Sequence, residues 1–178
     1  MLLETERLIL RPIEETDVPS LFPLINDVDV ARNLMRVPHP YPEEEYAPWI
    51  RSAREAMERR EQYPLAIVLK ETGLPIGACD IEDISWEHLR AEVSYWLGQP
   101  YWRKGYMTQA VQRMAQFAFE ELGLHRLHAY CFTWNAGSIG VLEKTGFKRE
   151  GHIRRAVKKG DEFIDVFLYG LLREEFVP

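Results

Sequence analysis

Cysteine is scarce in this sequence. Its 178 residues include only two cysteines, Cys79 and Cys131, which lie too far apart for a C-x-x-C redox or metal motif. So few cysteines also exclude a disulfide framework. We therefore expect a reduced, cytoplasmic setting.

Long apolar runs are missing too, because charged residues interrupt every apolar stretch before it reaches the length of a bilayer span. Residues 1–7 lack the basic start and apolar centre of a signal peptide. We expect a cytoplasmic protein with no membrane partner. Repeats, low-complexity tracts and Gly/Ser linkers do not occur either, which predicts a single domain over residues 1–178.

Basic residues are outnumbered by acidic ones, 22 against 28, giving a formal charge of −6. A nucleic-acid binder usually has a basic surface, so we expect no direct nucleic-acid partner. An acidic surface remains compatible with amines and cationic peptides as substrates. The P-loop and dinucleotide-binding motifs are also absent, which argues against a nucleoside triphosphate or NAD as ligand.

Apolar periodicity, capping residues and turns predict a mixed α/β (α+β) sheet in the order β-α-α-β-β-β-α-β-α-β-β. The predicted strands are Arg7–Ile13, Leu65–Leu69, Pro75–Ile84, Ala91–Leu97, Arg126–Thr133, Phe147–Val157 and Phe163–Leu172. The predicted helices are Thr16–Asn26, Glu43–Arg60, Lys104–Leu122 and Gly137–Thr145.

The passage from the strand Ala91–Leu97 into the longest predicted helix has the features of an anion site. Helix starts carry unpaired amide groups, and here they lie beside Arg103, Lys104 and Gly105, with the Thr108 hydroxyl in reach. The alternative is that both charges are solvated and Gly105 is an ordinary turn residue.

A second polar segment follows the strand Arg126–Thr133. Asn135 can cap the next helix or bind a ligand amide, and Ser138 lies in the first helical turn. The alternative is a simple capped helix that ends at Gly146.

Residues 136–140 also imitate the small-x-Ser-x-Gly elbow of a serine hydrolase around Ser138. Such an enzyme needs an acid and then a histidine downstream. Here His152 precedes Asp161 and Asp165, so we rank this alternative last.

Taken together, these segments resemble the GNAT superfamily of N-acetyltransferases, and most closely its Rim-like branch of ribosomal-protein N-terminal acetyltransferases. The resemblance rests on four pieces in the family's order: residues 5–12 (TERLILRP), 91–97 (AEVSYWL), 105–108 (GYMT) and 135–147. It implies the GNAT fold, acetyl-CoA as cosubstrate, and direct attack of a primary amine on the acetyl thioester.

The resemblance also implies which residues contact the coenzyme. They are Trp96, Leu97, Arg103, Lys104, Gly105, Tyr106, Met107, Thr108, Asn135, Ser138 and Lys144. Trp102 and Met107 depart from the superfamily's usual phosphate loop but are associated with the Rim-like branch. Because backbone amides supply most of the contacts to the coenzyme phosphates, we expect these two substitutions to leave coenzyme binding intact.

The residue that protonates the leaving thiolate differs from the family's usual one. Many relatives have a tyrosine seven residues after the asparagine, where this chain has Leu142. Protonation of the coenzyme A thiolate then passes to Ser138 or to water.

The general base is the other open assignment, because Gln99 stands where some relatives have a carboxylate. We assign the base to Glu92, on the strand beside the expected thioester, acting through water. Asp80 and Glu82 on the preceding strand are weaker candidates. The alternative is that Glu92 is only a structural carboxylate, and a protein without a base would be a non-catalytic acetyl-CoA-binding module.

The acceptor is the least defined part of the prediction. The Rim-like resemblance favours the N-terminal amine of a ribosomal protein, and a small amine such as a polyamine, aminoglycoside, amino acid or toxin is the alternative. The candidate pocket aromatics are Tyr41, Tyr46, Trp49, Trp86 and Trp102, with Trp49 favoured as core. We also expect Tyr130 and Cys131 in the core, and contact with the acyl group is the alternative.

We expect no metal, because His125 and His128 are predicted on opposite faces of a strand and the other histidines are isolated. The sequence leaves open whether the protein is a monomer or a homodimer.

Overall fold

An eight-stranded mixed sheet runs through the computed structural model, which describes all 178 residues. The strands are β1 (Leu3–Glu4), β2 (Leu8–Pro12), β3 (Tyr63–Leu69), β4 (Pro75–Ser85), β5 (Arg90–Leu97), β6 (Arg126–Phe132), β7 (Lys148–Lys159) and β8 (Glu162–Leu172). The helices are α1 (Val18–Ile25), α2 (Val28–Ala31), α3 (Glu43–Glu58), α4 (Tyr106–Gln116) and α5 (Ala136–Lys144). The strand order is β1-β2-β3-β4-β5-β6-β8-β7.

The predicted fold class is confirmed, but the predicted element order is wrong at two places. Strand β1 has only two residues, so it gives no alternation to detect. Helix α2 has four residues and is held mainly by its cap, in which the Asp27 side chain accepts hydrogen bonds from the amides of Asp29 and Val30. The predicted helix Lys104–Leu122 consists of two parts. Helix α4 ends at Gln116, and a π-helical turn follows over Phe117–Glu121.

The two faces of the sheet bury separate apolar clusters. Helix α4 covers the larger cluster, to which Cys79, Ile81 and Val93 contribute from β4 and β5. Helices α1 and α3 cover the smaller one, which includes Tyr46 and Ala66. Because side chains alternate along a strand, Asp80, Glu82, Glu92 and Ser94 point to the α1–α3 face.

Strands β5 and β6 are parallel neighbours that pair over only three residues each, and the last pair is Glu92 with His128. Beyond it, β5 stays with β4 as far as Leu97, and β6 stays with β8 as far as Phe132. The sheet therefore opens into a V-shaped cleft whose apex lies at Glu92 and His128.

The tip of the β7–β8 hairpin reaches across this cleft. The Lys159 ammonium donates hydrogen bonds to the backbone carbonyls of Ala31, Leu34 and Val37. These bonds fix the α2–α3 loop (residues 32–42) against the opening of the V.

Candidate active site

A cavity of about 1190 Å³ occupies the V between β5 and β6. Its walls come from both halves of the sheet, from the α2–α3 loop, and from the first turns of α4 and α5. All predicted coenzyme contacts except Lys104 line it. The Lys104 ammonium instead lies 5.8 Å from the centre of the Tyr101 ring.

The segment before α4 has the backbone of an anion-binding turn. Gly105 caps the helix in the left-handed region at φ +77°, a conformation that glycine adopts without strain. This turn leaves the first amides of α4 facing the cavity. The Trp102 indole fixes the preceding chain by donating a 2.6 Å hydrogen bond to the Leu97 carbonyl.

Arg7 supports this turn from the segment just before β2, a role that the sequence did not indicate. Its guanidinium donates a 2.9 Å hydrogen bond to the Lys104 carbonyl and lies 4.6 Å from the centre of the Tyr106 ring. A β-carbon at position 105 would come 3.2 Å from the Arg7 guanidinium. The turn therefore depends on a small residue at Gly105.

At the start of α5, Asn135 caps the helix by accepting a 3.0 Å hydrogen bond from the Ser138 amide. The Ser138 hydroxyl oxygen lies 2.9 Å from the Tyr95 hydroxyl oxygen, and the Tyr95 phenol also donates to the Ser138 carbonyl at 3.4 Å. Burial raises the pKa of Tyr95, so the phenol keeps its proton. The structure thus brings a second hydroxyl to Ser138 from the opposite side of the cleft.

Cys131 lies beside this pair and lines the cavity. Burial raises the pKa of its thiol to about 11, against a weaker opposing effect of the hydrogen bond with Ser138. The thiol is therefore protonated at neutral pH. Cys131 is 3 % exposed, in agreement with the expectation that it is a core residue.

Glu92 lies at the apex of the V, on the α1–α3 face. Burial raises the pKa of its carboxyl to about 7, and the negative charge of Glu82 acts in the same direction. The imidazole of His128 lies 3.9 Å away. Because burial lowers the pKa of His128, this imidazole is neutral at pH 7 and does not ion-pair with Glu92.

The two weaker base candidates differ in their surroundings. Glu82 forms a 2.7 Å ion pair with Arg36 of the α2–α3 loop, and this pairing neutralises its charge. Asp80 has one buried carboxyl oxygen without a hydrogen-bond partner, and burial raises its pKa well above the usual range. Asp80 therefore lines the cavity as an unpaired acid.

One group of side chains has metal-ligand character. Candidate ligand atoms of Asp83, Glu92 and His128 lie within 4.8 Å of one another, whereas His125 takes no part. The absence of a metal stays a prediction.

The aromatic candidates divide between two places. Tyr41, Tyr46, Trp49 and Trp102 line the cavity. Trp86 lies elsewhere, where its indole donates to the Arg60 carbonyl.

Two core assignments were wrong. Trp49 is 38 % exposed, because it stacks on Tyr46 at the wall of the open cavity. Tyr130 is 36 % exposed, because β6 has no β5 partner at this level and faces the cleft.

The geometry does not form a serine-hydrolase triad. The hydroxyl of Ser138 contacts Tyr95 and no histidine. His152 pairs with Asp165 at 2.7 Å between β7 and β8, outside the cavity residues.

The sequence model of the acetyltransferase (GNAT) domain matches residues 7–148 of this chain. The chain belongs to the GNAT acetyltransferase family. It is an N-acetyltransferase, and acetyl-CoA is the acetyl donor that the family uses. No helix in the structure has the length and apolar character needed to cross a membrane.

Similar proteins support this assignment. The chain is 32 % identical over 181 residues to the protein named uncharacterized N-acetyltransferase p20 of Bacillus licheniformis, covering 98 % of this chain and 97 % of that one. A solved GNAT-family acetyltransferase from Bacillus anthracis superposes with a TM-score of 0.87 at 27 % identity, covering 98 % and 100 % of the two chains.

The fold is shared with a ribosomal-protein acetyltransferase, as the Rim-like resemblance implied. The ribosomal-protein-S5-alanine acetyltransferase from Vibrio fischeri superposes with a TM-score of 0.87 at 22 % identity, covering 100 % of both chains.

Proposed function

We propose that this acetyltransferase transfers the acetyl group from acetyl-CoA directly to a primary amine inside the V-shaped cleft. The observation that carries the proposal is the placement of two proton-handling groups on opposite sides of one opening. Glu92 points to the α1–α3 face, and Tyr95, three residues further along β5, points to the other face toward Ser138. An amine and a coenzyme entering from opposite faces meet between them.

In this scheme, Glu92 is the general base. A carboxyl with a pKa of about 7 is partly ionised at neutral pH and basic enough to accept a proton, which is the optimum for this role. Glu92 takes a proton from the amine, directly or through water. The amine nitrogen forms a bond to the acetyl carbon, and collapse of the tetrahedral intermediate breaks the carbon–sulfur bond.

Ser138, oriented by the Tyr95 hydroxyl, protonates the departing thiolate of coenzyme A. The second proton that the nitrogen loses as the amide forms returns to Ser138 through water. Tyr95 thus supplies, from β5, the kind of group that the family's usual tyrosine supplies from the helix. Leu142, which occupies that helical position, is fully buried and cannot take part.

The negative charge that develops on the thioester oxygen requires fixed hydrogen-bond donors. Beyond Glu92, the backbone of β5 has no partner strand on its β6 side. Amides on this side are preorganised donors that need no rearrangement during the reaction.

Two acceptor classes follow from different observations. The shared fold with a ribosomal-protein-S5-alanine acetyltransferase supports an N-terminal amine as acceptor, and such an amine has a pKa of about 7.7–8.0, close to that of Glu92. The unpaired carboxyl of Asp80 favours a small cationic amine.

Thiol release from acetyl-CoA tests the proposal. A panel of an N-terminal alanine peptide, an N-terminal serine peptide and small amines is offered to the wild type, Glu92→Gln and Ser138→Ala. We expect turnover with at least one amine and a decrease of about a hundredfold in both variants. Binding of acetyl-CoA without thiol release from any amine would instead make the protein a non-catalytic acetyl-CoA-binding module.

A further inference from the structure

The α1–α3 face of the cleft holds three carboxyl groups close together. In the β4–β5 ladder, Glu82 lies opposite Glu92 and Asp80 lies opposite Ser94, so all three acids share one face. Arg36 neutralises Glu82. Asp80 and Glu92 are left as two acids without a positively charged partner.

The same cavity wall holds a second polar group without a partner. Tyr46 is 1 % exposed, lines the cavity, and has a hydroxyl with no hydrogen-bond partner. Tyr46 belongs to the cluster on the α1–α3 face, to which Asp80 also points, and both residues line the cavity. Buried polar groups are normally hydrogen-bonded, and two exceptions on the same face of one cavity point to a ligand.

The surroundings of Tyr46 suit a positive charge. The Trp49 ring stacks on Tyr46 at 5.8 Å and 4°, and Tyr41 meets Tyr46 edge-on at 5.7 Å. All three rings line the cavity. Aromatic faces attract ammonium ions, most strongly where water is excluded.

We propose that the acceptor is a short diammonium compound whose second ammonium group is held by the Asp80 carboxylate and the Tyr46 hydroxyl, while its reacting amine lies at Glu92. This inference rests on the proposed function, because it takes Glu92 as the site of the reacting amine. Asp80 is then a positioning residue that determines specificity.

The spacing of the two acids sets the length of the acceptor. Asp80 and Glu92 are diagonal neighbours across two paired strands, a separation of roughly 7 Å that a chain of about four methylene groups spans. Burial raises the pKa of Asp80, as expected for an acid that has no counter-ion until the ligand brings one.

Binding of putrescine, a four-carbon diamine, tests the inference without requiring turnover. Calorimetric titration of the protein saturated with coenzyme A compares putrescine with n-pentylamine, in which a methyl group replaces the second amine. We expect putrescine to bind at least about tenfold more tightly, because only putrescine has a second ammonium group that can form a charged hydrogen bond with Asp80. Equal affinity for the two amines would overturn the inference.

Variants assign the effect to the two residues. Asp80→Asn should abolish the preference for putrescine, and Tyr46→Phe, which removes only a hydroxyl, should reduce it. Glu71→Gln is the matched control, because it also removes one negative charge but lies in the exposed turn between β3 and β4. If Asp80→Asn fails to fold, Tyr46→Phe decides, and an unchanged preference in that variant overturns the inference.

Kinetics separate positioning from structural damage. In Asp80→Asn we expect a raised KM for putrescine with kcat unchanged, and an unchanged KM for n-pentylamine; a general structural defect would affect both amines. Preference for an N-terminal alanine peptide over putrescine would overturn the inference in favour of a protein acceptor. Tight putrescine binding without thiol release would leave the site in place and refute the proposed catalytic function.

Discussion

The hydroxyl oxygens of Tyr95 and Ser138 lie 2.9 Å apart although 43 positions separate them in the chain. This contact crosses the cleft from β5 to α5 and is available only because β5 separates from β6 after Glu92. Whichever hydroxyl donates, the contact gives the Ser138 hydroxyl a fixed orientation.

Removing the Ser138 hydroxyl should lower kcat by about a hundredfold, a usual effect for loss of a proton donor. Tyr95→Phe should lower kcat by about tenfold, because it removes one hydrogen bond to that donor. Steady-state kinetics should show little change in KM for acetyl-CoA in either variant. In the double variant the Tyr95→Phe loss should disappear, since Tyr95 acts through Ser138; fully additive losses would separate the two residues.

The pH dependence of kcat/KM should reveal Glu92. Its carboxyl must be ionised to accept a proton, so activity should rise with pH through about 7, the pKa that burial and the Glu82 charge give it. In Glu92→Gln this limb should vanish, and activity should follow only the ionisation of the amine. A pH profile with the same limb in wild type and variant would assign that pKa to another group.

Gly105→Val should weaken acetyl-CoA binding, because a β-branched residue is strained at φ +77° and its β-carbon approaches Arg7. Gly73→Val is the control: Gly73 has φ +70° in the turn between β3 and β4, where a β-carbon meets nothing within 4 Å. Thermal unfolding should show a backbone penalty of about 1–2 kcal/mol in both variants. Titration with acetyl-CoA should show weaker binding only in Gly105→Val. Equal affinities of the two variants for acetyl-CoA would mean that the coenzyme pyrophosphate binds away from Gly105.

Lys159→Met should loosen the α2–α3 loop. The substitution keeps an unbranched side chain but leaves the carbonyls of Ala31, Leu34 and Val37 without their shared donor. We expect faster amide exchange in residues 32–37 and a KM for the amine raised by about fivefold, with KM for acetyl-CoA unchanged. Lys158→Met, at the exposed neighbouring position, should alter neither quantity.

Local sequence signals located one side of the candidate site well. The turn at Gly105 and the cap at Asn135 are set by residues within a few positions of each other, so their backbone could be predicted. The position of Glu92 on a strand was predicted correctly. The burial that raises its pKa results from the assembled sheet and could not be predicted.

Contacts between segments that are far apart in the chain could not be predicted from local sequence signals. Tyr95 lies inside residues 91–97, one of the segments that resemble the family, yet its contact with Ser138 depends on the angle at which β5 leaves β6. The contact between Arg7 and the Lys104 carbonyl joins the segment before β2 to the turn before α4, 97 positions along the chain. The prediction that Trp49 is a core residue was wrong, because an apolar helical stripe shows which residues face the sheet but not which of them lie at the edge of a cavity.

The parting of β5 and β6 also has a consequence for how the protein behaves in a crowded solution. Free strand edges are usually hazards, since they invite pairing with other chains and aggregation. Here the free edge of β5 lies in the middle of a sheet, between β4 and β6, behind the α2–α3 loop and the hairpin tip. The protein therefore exposes pairing groups to a thin, extended small molecule while keeping them out of reach of another protein's strand.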